Sequence, residues 1–406
     1  MILTDGEKKM LDGAEGEAVR MAMELLVSLG NAYGADKLVQ ISSAHVLAVY
    51  PHVEASPEVM EKFANAGGKF RVTTTVDPGH NEKNFDKWPE FKEPEKLKHN
   101  SIRLARAVEG MGAIPTWSCT PYYQGNLPRK GEYIAWTESS AISFANSVLG
   151  ARTNRTTIGV DLASAITGRT PYFGLLLDEN RRGNAKVVLE KQPKNMYDYN
   201  LLGYIIGKNL SDKVPVIVGL PETTTSNQLK VLGAAAAGSG AIALYHAIGI
   251  TPEAETEEKA FGGNKPEIEM KIGQKEISEA EADINTYQSG EIDAVLIGCP
   301  HPTIGELVEL AQMIRGRKVI EGIKFCLFVS SDVLMLARRM GIEQILVQAG
   351  VDIFEGDCIL FCPAKTWGWK NIVTNSAKYA NLLPSDPTYF NVLFTDMKGC
   401  VEKGTV

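Results

Sequence analysis

The sequence predicts an α/β protein with mostly parallel strands, on three observations. From residue 97 onward, apolar stretches of strand length alternate with stretches of helical period, the pattern of strands joined by helical crossovers. The 406 residues exceed the roughly 250 to 300 at which one core stops growing, so two or three packed units are expected. With 44% hydrophobic and 22% charged residues, the composition is that of an ordinary globular chain.

The first helix is expected over 7–30, where Met10, Leu11, Ala18, Met21, Leu25 and Leu26 recur on one face and Gly30 stands as a C-cap. A strand at 37–41 runs into Ser42-Ser-Ala-His-Val. Residues 56–67 read as a short amphipathic helix with Ser56 as N-cap and Pro57 at its first position. A strand at 70–75 follows, then a Lys/Glu/Pro-rich surface loop at 80–94. Next come a helix at 97–111, a short strand at 113–118 and a helix at 138–149. A short helix or turn at 159–167 precedes strand-like 172–177 and 187–190. A helix at 197–209, a strand at 214–219 and a helix at 225–236 continue the alternation. The apolar run 231–250 approaches the ~20 residues that span a bilayer. Its Ala and Gly content, with Ser239, Tyr245 and His246, fits a closely packed helix followed by a buried strand instead. Residues 251–275 are acidic, hold Pro and Gly, and read as a domain joint or exposed excursion. Beyond them the pattern resumes: helices at 277–286, 304–315 and 331–340, strands at 294–297 and 325–329, and a short apolar segment at 345–347.

Lys plus Arg number 42 against 49 Asp plus Glu, a net charge of −7. This acidity excludes the basic surface that a nucleic-acid or anionic-membrane partner requires. The N-terminus lacks the charged-then-apolar layout of a signal peptide. Six scattered cysteines do not make a disulfide scaffold, so reduced thiols and a cytoplasmic location are expected. No GxxxxGK[ST] run, no GxGxxG opening a helix after a strand and no GxSxG elbow occurs.

The cysteines pose the functional question. Cys119 follows the 113–118 strand and precedes Thr-Pro-Tyr-Tyr-Gln-Gly. Cys299 ends Val-Leu-Ile-Gly and precedes Pro-His-Pro-Thr. Cys358 stands in Glu-Gly-Asp-Cys-Ile. Cys326 lies inside a strand and reads as a core thiol, Cys400 is in a polar tail, and Cys362 is ambiguous. A free cysteine often does no more than pack. Cys119, Cys299 and Cys358, however, belong to loops near strand ends, where open α/β sheets collect ligands. Three thiolates from distant loops suit a four-iron cluster with one iron left open as a Lewis acid, the arrangement of a hydro-lyase. There is no CxxC pair, and zinc would accept the same set.

Other residues point to an anionic substrate. Glu138, Ser139 and Ser140 open a helix that carries Asn146 and runs out into Arg152-Thr-Asn-Arg155. Arginine forks match carboxylates, although a capped helix with surface arginines explains the same residues. Ser42, Ser43 and His45 follow the first strand, where a lone histidine also fits a structural role. The candidate catalytic groups are therefore Glu138, Ser140 and His45. Candidate substrate contacts are Ser42, Ser43, Tyr122, Ser139, Asn146, Arg152 and Arg155. The candidate metal ligands are Cys119, Cys299 and Cys358. His80 and His301 stand in loops with no supported role.

Taken together, SSAHV, WSCTPYYQGNLPRKGEYIAWTESSAISFANSVLGARTNR, IGCPHPTIGEL, GDCILFCP and NIVTNSAKYANLLP resemble the large subunit of the aconitase X family over essentially the whole chain. The resemblance implies an aconitase-like core of three α/β/α subdomains, approximately 1–115, 116–275 and 276–406, with mostly parallel sheets. It implies an iron-dependent dehydratase in which Cys119, Cys299 and Cys358 hold an iron-sulfur cluster. A 4Fe-4S cluster comes first, with 2Fe-2S or mononuclear iron as alternatives. It further implies a swivelling domain, absent from this chain, that covers the site and contributes a serine base. In split members that domain is a separate small subunit, so this chain is expected to be the large half of a heterodimer. Members dehydrate cis-3-hydroxy-L-proline or mevalonate 5-phosphate. With one arginine pair and no clear phosphate cradle, cis-3-hydroxy-L-proline is the leading candidate and mevalonate 5-phosphate the alternative. A non-catalytic subunit whose thiols hold zinc or iron for structure is the reading from another class.

Overall fold

A computed structural model describes residues 1–48, 53–79, 84, 95–362, 364–383 and 389–406. The loop expected over 80–94, His80 included, lies outside the described residues apart from Asn84.

The strands fall into three groups along the chain. The first group is β1 (Leu38–Gln40), β2 (Ser43–Val46), β3 (Thr73–Val76), β4 (Ala135–Trp136) and β5 (Arg169–Pro171). Here β3-β2-β4 form a parallel sheet and β1 pairs antiparallel with β5. The second group is β6 (Ala185–Leu189), β7 (Pro215–Val218), β8 (His246–Ala247) and β9 (Ile268–Ile272), parallel in the order β8-β7-β6-β9. The third is β10 (Ala294–Ile297), β11 (Lys324–Val329), β12 (Asp352–Glu355), β13 (Asn371–Thr374) and β14 (Asn391–Phe394). Its order is β12-β11-β10-β13-β14, again parallel throughout. Sheet order thus reverses between β10 and β13, making a topological switch point there. The first sheet takes strands from both sides of residue 115, and β9 with the helix Gln274–Ile284 carries the second unit past 275.

The near-continuous apolar runs of β10 and β11 are explained by burial on both faces. Val295, Ile297, Phe325, Leu327 and Val329 pack with Leu310, Leu334 and Leu346 of the third unit's own helices. Alternate residues Leu296, Cys326 and Phe328 turn the other way, into a core that includes Ile205, Leu232 and Ala235 of the second unit. The second and third units therefore share one core, while the first has its own around Leu26, Val46, Val76 and Ile166.

Several expected elements differ in detail. The helix expected over 7–30 is two, Asp5–Leu11 and Glu17–Ala32, because Gly13 and Gly16 take positive φ between them. Gly30 is inside the second helix rather than its cap. The helix expected to start at Ser56 spans Ala55–Asn65 with Glu54 at the N-cap. Residues 113–118 contribute a single bridge, Thr75 to Ile114, since Pro115 and the left-handed Trp117 (φ 42) interrupt extended pairing. A 3-10 turn, Gly174–Leu176, replaces the strand expected at 172–177, and 345–347 belongs to the helix Ile342–Ala349. Residues 251–275 are not a linker: they hold the helix Glu257–Phe261 and the edge strand β9. The Ala/Gly run behaves as expected, forming the helix Ser226–Ser239 followed by buried β8. Among the described residues no helix is long and apolar enough to cross a membrane.

Candidate active site

Parallel strands deliver side chains to their C-terminal ends, and here those of the first and third sheets face one cavity of about 430 Å³. From the first sheet Leu47 follows β2, Asp77 and Pro78 follow β3, and Thr137 and Glu138 follow β4. From the third, Cys299 follows β10, Cys358 follows β12 and Lys378 follows β13. Cys299 and Lys378 thus flank the switch point. Cys119 joins them because Ser118 N–H donates to the Val76 carbonyl at 3.1 Å, holding the preceding segment along β3. The two sheet ends are stitched together where Gly79 N–H donates to the Gly356 carbonyl (3.2 Å) and Cys358 N–H donates to that of Gly79 (3.0 Å). Gly298, at φ 130, allows the turn into Cys299: a Cβ there would lie 2.3 Å from the Phe328 carbonyl oxygen. A second cavity of about 410 Å³ lies beyond this turn, lined by Asn195, Thr225, Glu306 and Asp396, and of the three cysteines Cys299 alone reaches it.

All three cysteines are free thiols on the wall of the first cavity, and Cys326, Cys362 and Cys400 do not line it. Burial pushes each thiol up from its ordinary value. Glu138 and Asp77 push Cys119 further in the same direction, whereas Lys378 opposes the effect at Cys299. A cation entering the cavity would displace those protons, since the thiolate is the ligand. Three thiols with carboxyl groups behind them form a donor set suited to an iron or iron-sulfur centre. Among the described residues no three His, Cys, Asp or Glu side chains are gathered tightly enough to hold one metal ion.

Glu138 is the N-cap of the helix Ser139–Phe144, which continues as a π turn over Ala145–Leu149. Its Oε2 accepts from Ala141 N–H at 2.7 Å and from the Ser140 hydroxyl. Its Oε1 accepts from Lys378 Nζ at 2.5 Å and from the Ser139 hydroxyl at 3.3 Å. Lys378 Nζ also donates to Ser139 Oγ at 3.0 Å. Burial raises the Glu138 carboxyl, but the Lys378 ammonium and these hydrogen bonds outweigh it and hold the group at about 2. Lys378 responds in kind: burial lowers it, Glu138 raises it more, and the ammonium is retained. The helix Ser226–Ser239 backs both elements through its glycines. A Cβ at Gly238 would lie 2.6 Å from Lys378 Cγ, and one at Gly233 would lie 2.9 Å from Ser143 Oγ.

The cavity gathers Cys119, Cys299, Cys358, Glu138, Ser139, Ser140 and Arg155 from the residues singled out by sequence. The others are elsewhere, for identifiable reasons. His45 is fully buried behind the wall, its Nδ1 2.8 Å from Thr75 Oγ1 and its Nε2 3.4 Å from Asp77 Oδ1. Burial holds that imidazole neutral, at about 4. Ser42 is exposed and donates to Glu132 (3.1 Å), while buried Ser43 accepts from Trp136 Nε1 (3.2 Å). Tyr122 stacks on Phe144 at 3.7 Å between ring centroids. Asn146 is saturated: it donates to the carbonyls of Thr153 and Ala243 and accepts from Thr153 N–H and Arg181. Arg152 points away, to the Leu176 carbonyl (2.8 Å) and Asp178.

Three titratable cavity residues, Lys378, Asp77 and His301, have no role assigned from sequence. Lys378 follows the N-cap Ser376 directly after an apolar strand, which was its available signal. Asp77 is the residue immediately after β3; burial first, then Glu138, pushes its carboxyl well above the usual range. His301 donates its backbone N–H to Cys119 Sγ at 3.2 Å and its ring Nε2 meets the Asp357 carbonyl at 3.0 Å.

Comparison with known proteins agrees with this geometry. Family models for the first, second and third domains of aconitase X match residues 1–179, 183–282 and 292–406. The phosphomevalonate dehydratase large subunit of Methanocaldococcus jannaschii is 40% identical over 95% of this chain and 96% of its own. The cis-3-hydroxy-L-proline dehydratase of Pseudomonas aeruginosa is 34% identical over 98% of this chain but 68% of its own. The crystal structure of Thermococcus kodakaraensis aconitase X in its holo-form superposes with a TM-score of 0.89 at 36% identity, covering 100% of both chains. The chain belongs to the aconitase X family of dehydratases.

Proposed function

We propose that this chain is the large, catalytic subunit of a two-subunit dehydratase that removes water from mevalonate 5-phosphate, and that Cys119, Cys299 and Cys358 hold its iron-sulfur centre. The observation that carries the metal assignment is that three free cysteines from distant loops line one cavity at the ends of two parallel sheets. Thiolates are the usual ligands of iron-sulfur clusters, and three of them on one wall support that assignment. The substrate assignment is supported by similarity: three phosphomevalonate dehydratase large subunits are 37–40% identical to this chain, whereas two cis-3-hydroxy-L-proline dehydratases are 32–34% identical.

When bound, such a centre supplies a Lewis-acidic iron that weakens the substrate C–O bond. The chain's own residues do the positioning. Glu138 stays ionised at neutral pH and fixes the Ser139 and Ser140 hydroxyls on the cavity wall. Lys378 keeps its proton on Nζ, shared between Glu138 and Ser139, so that the buried carboxylate is neutralised. Arg155, whose guanidinium reaches a backbone carbonyl (Gly240, 3.5 Å), is available for a substrate carboxylate. The proton abstracted from the neighbouring carbon goes to a serine of the small subunit, which also closes the cavity against water.

One observation favours a second reading. Lys378 is engaged by Glu138, which leaves Arg155 as the cation on this wall without a carboxylate partner among the described residues. That inventory suits a substrate with one anionic end, as in cis-3-hydroxy-L-proline; for mevalonate 5-phosphate the small subunit must supply the phosphate contact. Six free thiols fit a reducing cytoplasm. The test is an anaerobic dehydration assay of the chain, with and without its small subunit, on both substrates. Turnover of mevalonate 5-phosphate by the pair and none by the lone chain is expected. Turnover of hydroxyproline alone overturns the substrate, full activity of the lone chain overturns the split, and zinc without sulfide in an inactive pair supports a purely structural metal.

A further inference from the structure

Among the described residues, none from 183–282 lines the cysteine cavity, yet one side chain of that second unit reaches toward it. Lys230 is 1% exposed in the Ala/Gly-rich helix Ser226–Ser239. Its Nζ donates to Glu306 Oε2 at 2.7 Å and to the His301 carbonyl at 3.3 Å. The same Glu306 oxygen accepts from Thr303 N–H (2.9 Å) and from the Thr303 hydroxyl (3.0 Å), fixing the start of the helix Ile304–Ile314. His301, also 1% exposed, is therefore held on three sides. Its carbonyl takes Lys230, its N–H is given to Cys119 Sγ, and its ring spans to the carbonyl of Asp357, the neighbour of Cys358. It stands two residues from Cys299. One residue, through its backbone and its ring, thus connects all three cysteine loops, and its anchor comes from a unit outside the cavity. A buried ammonium among alanines is costly unless its partners are fixed, and here they are fixed.

We propose that Lys230 and His301 form a brace that sets the spacing of the three cysteine loops, so that the second unit governs how firmly the iron centre is held without touching it. Both are positioning residues, and the inference rests on the reading that Cys119, Cys299 and Cys358 hold that centre. Groups behind metal ligands typically change affinity by about 10- to 100-fold.

The test compares the parent chain with the double variant Lys230→Met/Glu306→Gln, which removes both charges and so leaves no unpaired buried ion. After anaerobic reconstitution with iron and sulfide, iron release to excess ferrozine is expected to be about 10-fold faster or more in the variant. In the metal-free chain, iodoacetamide is expected to alkylate Cys119 and Cys358 faster in the variant, with Cys326 and Cys400 unchanged. A merely structural ion pair would shift the melting temperature and move neither readout. Equal iron release, with equal alkylation of Cys119 and Cys358, overturns the brace. If the parent itself retains no iron, the reading of the cysteines fails, and the alkylation arm still decides the brace. If Cys326 becomes reactive, marking global unfolding, the comparison passes to His301→Ala against His301→Gln, whose amide can still reach the Asp357 carbonyl. Faster iron release from the alanine variant is then expected, and equal rates overturn the proposal.

Discussion

Glu138 and Lys378 show how the site is set residue by residue. Each is a buried charge that only the other makes tolerable, so removing one strands its partner. Lys378→Met is expected to cost about 3–5 kcal/mol, whereas Lys378→Met/Glu138→Gln recovers most of that while remaining inactive. Urea unfolding of the two variants checks this. The carboxyl is at about 2 in the folded chain against 4.5 when free. Its stabilising effect is therefore complete above about 4.5 and is lost as pH falls toward 2. Glu138→Gln should flatten melting temperature against pH across that window. The arginines separate as sharply. Arg155→Met should raise KM at least about 10-fold for an anionic substrate, the loss of one charge-assisted contact. Arg152→Met, which breaks an ion pair with the largely exposed Asp178, should cost no more than about 1 kcal/mol and leave KM unchanged.

Sequence reading reached Cys119, Cys299, Cys358 and Glu138 because loop cysteines and a helix-opening acid after a strand have a local signature. It misses Lys378 and Asp77 because a lone lysine or aspartate normally marks a solvated surface, and burial here comes with partners 240 and 32 residues distant (Glu138 and His45 respectively contact them). It places His45 among the catalytic groups and Ser43 and Asn146 among the substrate contacts, although the ring Nδ1, the hydroxyl and the amide are engaged by residues that only folding brings near. Arg152 and Arg155 are three apart in a non-helical segment, so proximity in sequence did not put them on one side.

At the scale of elements, strands with continuous apolar runs were read closely: β10 has the expected bounds and β11 begins one residue early. The misreading of 251–275 has a physical cause. β9 is an edge strand, Ile-Glu-Met-Lys-Ile, whose alternation is present but half exposed, and the acidic composition around it masks the period. The 113–118 segment failed as a strand because Pro115 cannot donate to a ladder. The glycines are the elements' most exacting positions. Gly238→Val should push the Lys378 helix away from its support, at a cost of about 1–3 kcal/mol, with a further loss of turnover. Calorimetry and a steady-state assay read the two effects separately. A substituent at Gly305, which meets nothing closer than 3.7 Å, is the matched control on another helix.

The whole molecule divides its labour among three units. The first and third contribute the facing sheet ends, and the second supplies the backing helix and the shared core on which the third sheet rests. The alternation of strands and helices made the α/β class legible from sequence, but alternation alone could not say that the second and third units share a core. That fact depends on which face of β10 and β11 each alternate residue takes. It also predicts coupling: Phe328→Ala, in the shared core, should lower stability by about 3–5 kcal/mol and melt the second and third units in one transition. Differential scanning calorimetry decides between one transition and two.

The central claim is that three distant cysteines on one cavity wall hold the iron centre. Its most direct test is iron and acid-labile sulfide per chain after anaerobic reconstitution of the parent and of Cys119→Ser, Cys299→Ser, Cys358→Ser and Cys326→Ser. Loss of both from the first three variants, with retention by Cys326→Ser, is the predicted result. Full iron and sulfide in any of the first three would remove that cysteine from the ligand set and contradict the account.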